Sequence, residues 1–291
     1  MHRFIAAERA NHTVALLCRV LGVSRTGFYA AEGREPCQRA QDDKRIEAAI
    51  REVHSDSRET YGAPRVHAML RRRGIRVGRK RVARLMRRAG ISGLVKRKRG
   101  RTTIRVPGVA TRPDLVRREW SPTQPNRLWV ADITYCRSWE GWLYLAAVVD
   151  CYSRKVVGWS LRQGLEAELV TEAVEMAVAR RRPGVGLVHH SDRGSQYVSL
   201  AFGERCKEAG IDLSMTAGGS PLDNAVVESL FATLKRELVD RYSWPTRNDL
   251  RVAIFEWIEV FYNRQRLHTT LGNYAPEEFE NLSLNQLKEA A

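Results

Sequence analysis

Three acids stand apart from the other Asp and Glu residues of the chain by their surroundings: Asp132 in "RLWVADITYC", Asp192 in "LVHHSDRGSQY" and Glu228 in "SPLDNAVVESLFATLKREL". Carboxylates are hard oxygen ligands, and a group of them on rigid elements can hold the divalent cations that assist phosphodiester cleavage and joining. Asp132 alternates with Leu128, Val130 and Thr134, so it shares a strand face with apolar residues, where an acid is costly unless paired or metal-bound. Asp192 falls where a buried run ends. Glu228 follows Val227 and lies about 100° round a helix from it, at the edge of an apolar stripe of Val227, Leu230, Phe231, Leu234 and Leu238. Lys235 lies on the same flank, about 10 Å further along the axis. Spacing alone does not single these acids out. Thirty-five residues separate Asp192 from Glu228, but acids also stand 36 positions after Asp132 (Glu168), after Glu204 (Asp240) and after Asp223 (Glu259). Context does: a strand middle, a strand end and the edge of a helix face.

The elements that must position them can be read from residue 127 onward. "RLWVADITYC", "WLYLAAVVDC" and "KVVGWSL" are β-type runs rich in Val, Ile, Trp and Tyr, joined by short turns. A helical stretch "EAELVTEAVEMAVARRR", a short buried strand "GLVHHS", a helix in "YVSLAFGERCKEAG" and a strand "IDLSM" follow. The loop "TAGGSPLDN" then leads into the Glu228 helix and is expected to adjust around substrate. Three antiparallel strands and then alternating helix and strand predict an α/β, RNase H-like mixed five-stranded sheet with flanking helices.

Charge divides the chain. Residues 1–118 hold 30 Lys/Arg against 10 Asp/Glu, and residues 119–291 hold 19 against 23, which together give the net +16. From Arg65 to Arg105 there are 17 basic residues and no acid. Such a front half suits a polyanion, because neutralising phosphates releases counterions. Two helix-turn-helix-like units can be read in this all-α region. In "HTVALLCRVLGVSRTGFYAA", Gly22 makes the turn and Ser24 caps the second helix. In "APRVHAMLRRRGIRVGRKRVARLMRRAGI", Val82, Leu85, Met86 and Ala89 give the second helix an inner face, leaving Arg79, Lys80, Arg81, Arg84 and Arg88 to contact DNA. The expected units are residues 1–58, 59–95, a basic linker over 96–122, and a catalytic core with a helical tail over 123–291. No run approaches a membrane span, no signal-peptide core opens the chain, and the five cysteines form no Cys-x-x-Cys pair. These features point to a cytoplasmic, nucleoid-associated protein with reduced thiols and no membrane partner.

The blocks "WVADITYC", "GWLYLAAVVDCYSRKVVGWSL", "LVHHSDRGSQYVS" and "SPLDNAVVESLFATLKREL", with the closing "FEWIEVFYNRQRLHTTLGNYAPEEF", resemble those of DDE transposases with a retroviral-integrase-like core. More narrowly, they are similar to the second-reading-frame products of bacterial insertion sequences of family three, over nearly the whole chain. The resemblance implies a polynucleotidyl transferase in which Asp132, Asp192 and Glu228 are both catalytic and metal-binding. The cofactor it implies is Mg²⁺, with Mn²⁺ as a substitute, and it places Lys235 on DNA near the cut. The implied partners are double-stranded DNA as element terminal repeats and as target, further copies of the chain on that DNA, and an upstream reading-frame product, fused or associated. His12, Cys18 and Cys37 have no zinc-like spacing, unlike the front end of retroviral integrases.

Other residues have two readings each. His190 can orient the site or serve as a buried hydrogen bonder, and Gln196 and Asn224 flank the catalytic positions within reach of a DNA backbone. Asp150 reads as a turn cap. Trp129, Trp139, Trp142, Tyr144 and Trp159 read as core. Tyr262, Asn263, Arg264 and His268 fit either a DNA contact or a packed tail. The rival functions are a DNA-binding regulator with an inactive RNase H-like domain, a ribonuclease H or junction nuclease that cuts without joining, and a degenerate transposase.

Overall fold

The computed structural model describes residues 1–35, 37–94, 112–116, 119–216 and 224–289, with side chains of the last helix described to residue 283. The loop 217–223 and most of the basic linker, 95–111, lie outside the described residues, and with them the expectations placed there.

The front half is helical: α1 (His2–Glu8), α2 (Val14–Val20), α3 (Arg25–Glu32), α4 (Gln38–Asp56), α5 (Ala63–Arg72) and α6 (Arg79–Arg88). Helices α2 and α3 bend by 113° about Gly22, whose φ of +65° is one that glycine adopts without strain. The Thr13 and Ser24 hydroxyls accept the amides of Leu16 and Gly27 and so cap the two helices. Ile5, Leu17, Cys18 and Phe28 close a small core of their own. The expected boundary at residue 58 separates α4 from α5, whereas in the structure Ile46, Ile50 and Val53 of α4 share one core with Val66, Leu70, Val82, Leu85 and Met86 of α5 and α6. These apolar positions recur every three or four residues along α4, and a long helix with such a stripe buries it against whatever apolar face lies nearest.

The back half carries β1 (Leu128–Ser138), β2 (Gly141–Asp150), β3 (Val156–Arg162), α7 (Ala167–Arg181), β4 (Leu187–Ser191), α8 (Leu200–Glu208), β5 (Ile211–Met215) and α9 (Ala225–Leu234). A π-helical turn over Lys235–Val239, α10 (Arg247–Glu256), a second π turn over Trp257–Tyr262 and α11 (Pro276–Glu289) complete it. The sheet order is β3-β2-β1-β4-β5, with β1, β2 and β3 antiparallel and β4 and β5 parallel to β1. This is the RNase H-like sheet expected from the element order.

The sheet has two different faces. Trp129 and Ala131 of β1 point into a core with Leu169 and Val174 of α7 and Phe202 of α8. Leu128 and Val130 point the other way, into a core with Val227, Leu230, Phe231 and Leu234 of α9. That second core runs on into α4–α6. Tyr61, between α4 and α5, accepts the amide of Leu267 at 2.7 Å and donates to the Gln265 carbonyl at 3.3 Å, fastening the two halves. Part of the expected linker also lies on the core. Met215 N–H donates to the Pro113 carbonyl, Leu115 N–H donates to Ser214 Oγ, and Val116 is buried. Among the described residues no single helix is long and apolar enough to cross a membrane.

Candidate active site

The strand period fixes which way Asp132 points. It follows Leu128 and Val130 on the α9 face, because successive side chains on a strand alternate. Parallel pairing of β1 with β4 runs from Leu128↔Val188 to Ala131↔Ser191. One step further the same register sets Asp132 level with Asp192, at the point where β4 ends and the chain leaves the sheet. Crevices of this kind, at the carboxyl ends of strands in α/β sheets, are where ligands bind. Asp192 turns back on itself, its Oδ1 accepting the Gly194 amide at 3.0 Å.

Helix α9 crosses the same face and brings Glu228. Val227, Leu230, Phe231 and Leu234 are buried beneath it, and Glu228 stands exposed in its first turn. The start of the helix is fixed by Asn224, whose buried side-chain amide donates to the Ala131 carbonyl at 3.1 Å, one residue from Asp132. At the other end, Lys235 Nζ sits 4.2 Å from the ring centroid of Tyr135, three residues beyond Asp132 on β1. Leu234 is followed by the π turn, which puts Glu237, Leu238 and Val239 all inside. A π turn adds a residue to the helical repeat, so it can turn inward a position that an α-helical reading leaves on the flank.

Electrostatics mark Asp132. Burial, first, and then the Asp192 charge push its carboxyl up to about 7; the Ile133 amide pulls it down, the Glu228 charge adds to the rise and Lys235 opposes it. Glu228, although its side chain is open to solvent on one side, is also raised, by the burial of the rest. A carboxylate this unfavourable as a bare anion, level with a second carboxylate and faced by a third, has the donor chemistry of a divalent-cation site made of hard oxygens. Among the described residues, no three such groups converge closely enough to coordinate one ion without adjustment.

The flanking residues divide. His190 is buried against Trp120 and shares a 2.9 Å hydrogen bond between Nδ1 and Ser214 Oγ, one strand away from the carboxylates. Gln196 donates its amide to the Leu165 carbonyl at 2.9 Å, and Asn224 is committed to β1 as described. Asp150 caps its turn, accepting the amides of Asn126 and Tyr152, each at 2.8 Å. Tyr262 is buried, and Asn263 both donates to the carbonyl and accepts the amide of Val156, each at 2.9 Å, so both belong to the packed tail. Burial pushes His268 down to about 3 and keeps it neutral, while Arg264 remains exposed. Trp129 and Trp159 are core, but Trp139 and Trp142 are 75% and 43% exposed at the β1–β2 hairpin tip.

The basic face of α6 is also redistributed. Arg81 and Arg84 donate to Asp43 at 2.7 and 2.8 Å, and Arg88 donates to Glu47 at 2.9 Å, all across to α4. The two guanidinium groups hold the Asp43 carboxyl below its usual range. Arg84 and Arg88 stay exposed in spite of these pairs, as do Arg79 and Lys80, and Arg87, which the sequence reading passed over, joins them. The signal for Arg87 was present: it lies four residues beyond Ala83 and opposite Val82, Leu85 and Met86. The buried ion pair of Glu237 with Arg266, made through hydrogen bonds of 2.9 and 2.8 Å, was also passed over; Glu237 stands three residues after Leu234 on the edge of the stripe, but its partner had no sequence signal.

Known proteins share these parts. A model of an integrase core domain matches residues 122–221 and a second such model matches 209–276, while an HTH-like domain model matches residues 40–99, starting within α4. The chain is 41% identical over 263 residues to the uncharacterized 31 kDa protein of insertion element IS600 from Shigella sonnei, covering 90% of this chain and 97% of that one. It is 38% identical over 277 residues to the transposase for insertion sequence element IS629 of the same species, covering 94% and 93%. Identity to the transposase InsF for insertion sequence IS3A of Escherichia coli (strain K12) is 36% over 283 residues, covering 97% and 98%. Among solved structures, the catalytic core domain of HTLV-2 integrase in complex with magnesium overlaps 54% of this chain with 98% of its own, at 18% identity and a TM-score of 0.41. That overlap is loose, and the fold rests on the sheet order itself.

Proposed function

The chain belongs to the insertion-sequence transposases of family three, which carry an integrase core, and from that premise we propose that it binds the ends of its element, cuts them and joins them to target DNA. The observation that carries the reading is the placement of Asp132 level with Asp192 in the β1/β4 register, on the face crossed by the helix that bears Glu228. These three side chains are the ones that would hold Mg²⁺, or Mn²⁺ in its place. When bound, the ions supply Lewis-acid stabilisation of the attacking and leaving oxygens.

The protein's own part is to position and to neutralise. In the cleavage step the oxygen of water attacks phosphorus, and the element's 3′ oxygen leaves as a hydroxyl. In the joining step that 3′ hydroxyl attacks a target phosphodiester, and the target's own 3′ oxygen leaves. One P–O bond forms and one breaks each time, so no external energy source is needed. With its carboxyl pushed up to about 7, Asp132 is partly protonated near neutral pH without a cation, so cation binding and ionisation reinforce each other there. Asn224 fixes where α9 begins, and Lys235 offers a positive charge on the open side of β1. Arg79, Lys80 and Arg87 give α6 its outward positive face for duplex DNA. Bringing two ends together requires more than one copy on the DNA.

A strand-transfer assay on the element's own ends tests the reading, comparing wild type with Glu228→Gln at matched DNA binding in Mg²⁺, Mn²⁺ and EDTA. Joined products are expected only with metal and only from wild type. Cutting without joining would favour a nuclease, and binding without cutting a regulator or a missing upstream partner.

A further inference from the structure

On the flank of α9 next to Glu228, lined by Ala225, Ser229 and Ala232, lies a cavity of about 640 Å³ that the reading above does not use. Arg65 of α5, Arg154 of the β2–β3 turn, Arg236 of the π turn and Arg266 line it, together with Trp120 and His268. One carboxylate, Glu237, is close by, and it is fully engaged by Arg266. Arg65 has only the Tyr61 ring as a described partner, 5.5 Å from its guanidinium carbon. The Nε atoms of Arg65 and Arg236 are buried without a hydrogen-bond partner. Burial, first, and the charge of Arg266 push Arg65 below the ordinary guanidinium range. Among the described residues, Arg65, Arg154 and Arg236 make no ion pair with a carboxylate, and with the buried N–H groups of Arg65 and Arg236 unmet they form a wall that repels itself until an anion enters.

The position of the cavity selects the anion. Arg236 directly follows Lys235, and Trp120 packs edge-on against His190, two residues before Asp192. Arg65 opens the helix pair α5–α6, whose outward face carries Arg79, Lys80 and Arg87. The cavity therefore spans the space between the carboxylates and the helix-turn-helix unit, and its volume exceeds that of a single phosphate and suits a drug-sized or dinucleotide-sized ligand. The geometry points to a backbone pocket that holds two successive phosphates of the DNA strand between the reacting bond and the duplex bound by α6. The inference rests on the transposase reading for the identity of that DNA, and it adds residues that reading leaves without a role.

Arg65→Gln and Arg154→Asn, singly and combined, test it; Asn suits the φ of +62° at position 154. Binding of a labelled terminal-repeat duplex is followed by anisotropy between 50 and 200 mM salt, with melting temperature as the check on folding. Each substitution is expected to lower the slope of log affinity against log salt by about 1, and the pair by about 2. Ethylation of the phosphates beside the cleavage site is expected to weaken wild-type binding and to lose that effect on the double variant. Arg236→Gln gives the same reading from the opposite wall if either substitution lowers the melting temperature. Wild-type slopes in folded variants would overturn the pocket, as would an unchanged ethylation pattern. Thermal protection of the wild type by pyrophosphate, with DNA slopes indifferent to the substitutions, would assign the cavity to a small free anion and also overturn it. Glu228→Gln separates the two claims: altered slopes in the arginine variants with no strand transfer by any protein would defeat the chemistry and leave the pocket standing.

Discussion

The two faces of one sheet are built to different rules. Under α7 the packing is apolar and so close that Gly158 has no room for a side chain: a Cβ there would lie 2.1 Å from the Ala173 carbonyl oxygen and 2.7 Å from the Ala177 nitrogen. Under α9 the same strands present Asp132, and the helix continues into a buried ion pair and a cavity walled by arginines. Two adjacent residues of β4 show the contrast at its smallest. His189 turns toward Tyr197 and Phe202, and burial pushes it down to about 3, whereas His190 turns toward Trp120 and shares a hydrogen bond with Ser214. One face keeps charge out. The other tolerates charge wherever a partner or a ligand answers it.

The sharpest way to break this contrast is to remove one member of the buried pair. Arg266→Met leaves Glu237 charged and alone, and denaturant melts should show a loss of about 3–5 kcal/mol. A double change to apolar residues at both positions should recover most of it, which a purely steric role for Arg266 would not allow. On the closed face, Gly158→Ala should destabilise by on the order of 3 kcal/mol, because the obstacle is backbone of α7 and cannot rotate away. A neutral outcome would mean that α7 is less tightly seated than the geometry states.

Asp132→Asn sharpens the comparison through pH. With a folded value of about 7 against an ordinary 3.8, Asp132 binds more protons in the native state than in the unfolded one between those limits, so native stability falls as pH rises from about 4 to about 7. The Asn variant should lose that fall and exceed wild type by on the order of 2 kcal/mol near pH 7.5 in EDTA, while strand transfer disappears. Added Mg²⁺ should stabilise wild type more than the variant. His189 runs in the opposite direction. Its folded value of about 3 lies below the ordinary 6.5, so its contribution is present above about 6.5 and is lost as pH falls toward 3. His189→Leu should make the acid side of the stability profile shallower, an effect of about 1 kcal/mol at pH 5. An unchanged profile would show that the closed face admits water.

Most of the sheet and the direction of Asp132 were legible because they depend on local periods. Alternation along β1 and the three- and four-residue stripe of α9 each act within a few residues. What was not legible depends on partners far along the chain. Nothing near Arg81, Arg84 and Arg88 announces that Asp43 and Glu47, some forty positions earlier, lie across from them. An α-helical wheel does bring Glu237 to the edge of the stripe, three residues after Leu234, but nothing near it announces its partner Arg266 farther along the chain. Trp139 and Trp142 were misread for a different reason. Trp139 falls in the two-residue turn itself and Trp142 just after it, and composition does not say where a strand gives way to its turn.

The hydrogen bond from Asn224 to the Ala131 carbonyl acts as a ruler. Glu228 follows Asn224 by four residues, which is about one helical turn or 6 Å of rise, and Ala131 adjoins Asp132. The separation of the first and third acids is thus measured off from the sheet, along a helix, rather than across the loop that precedes it. Insertions or deletions before Asn224 can accumulate during evolution while the spacing of the site stays calibrated, provided the asparagine and the turn that follows it remain.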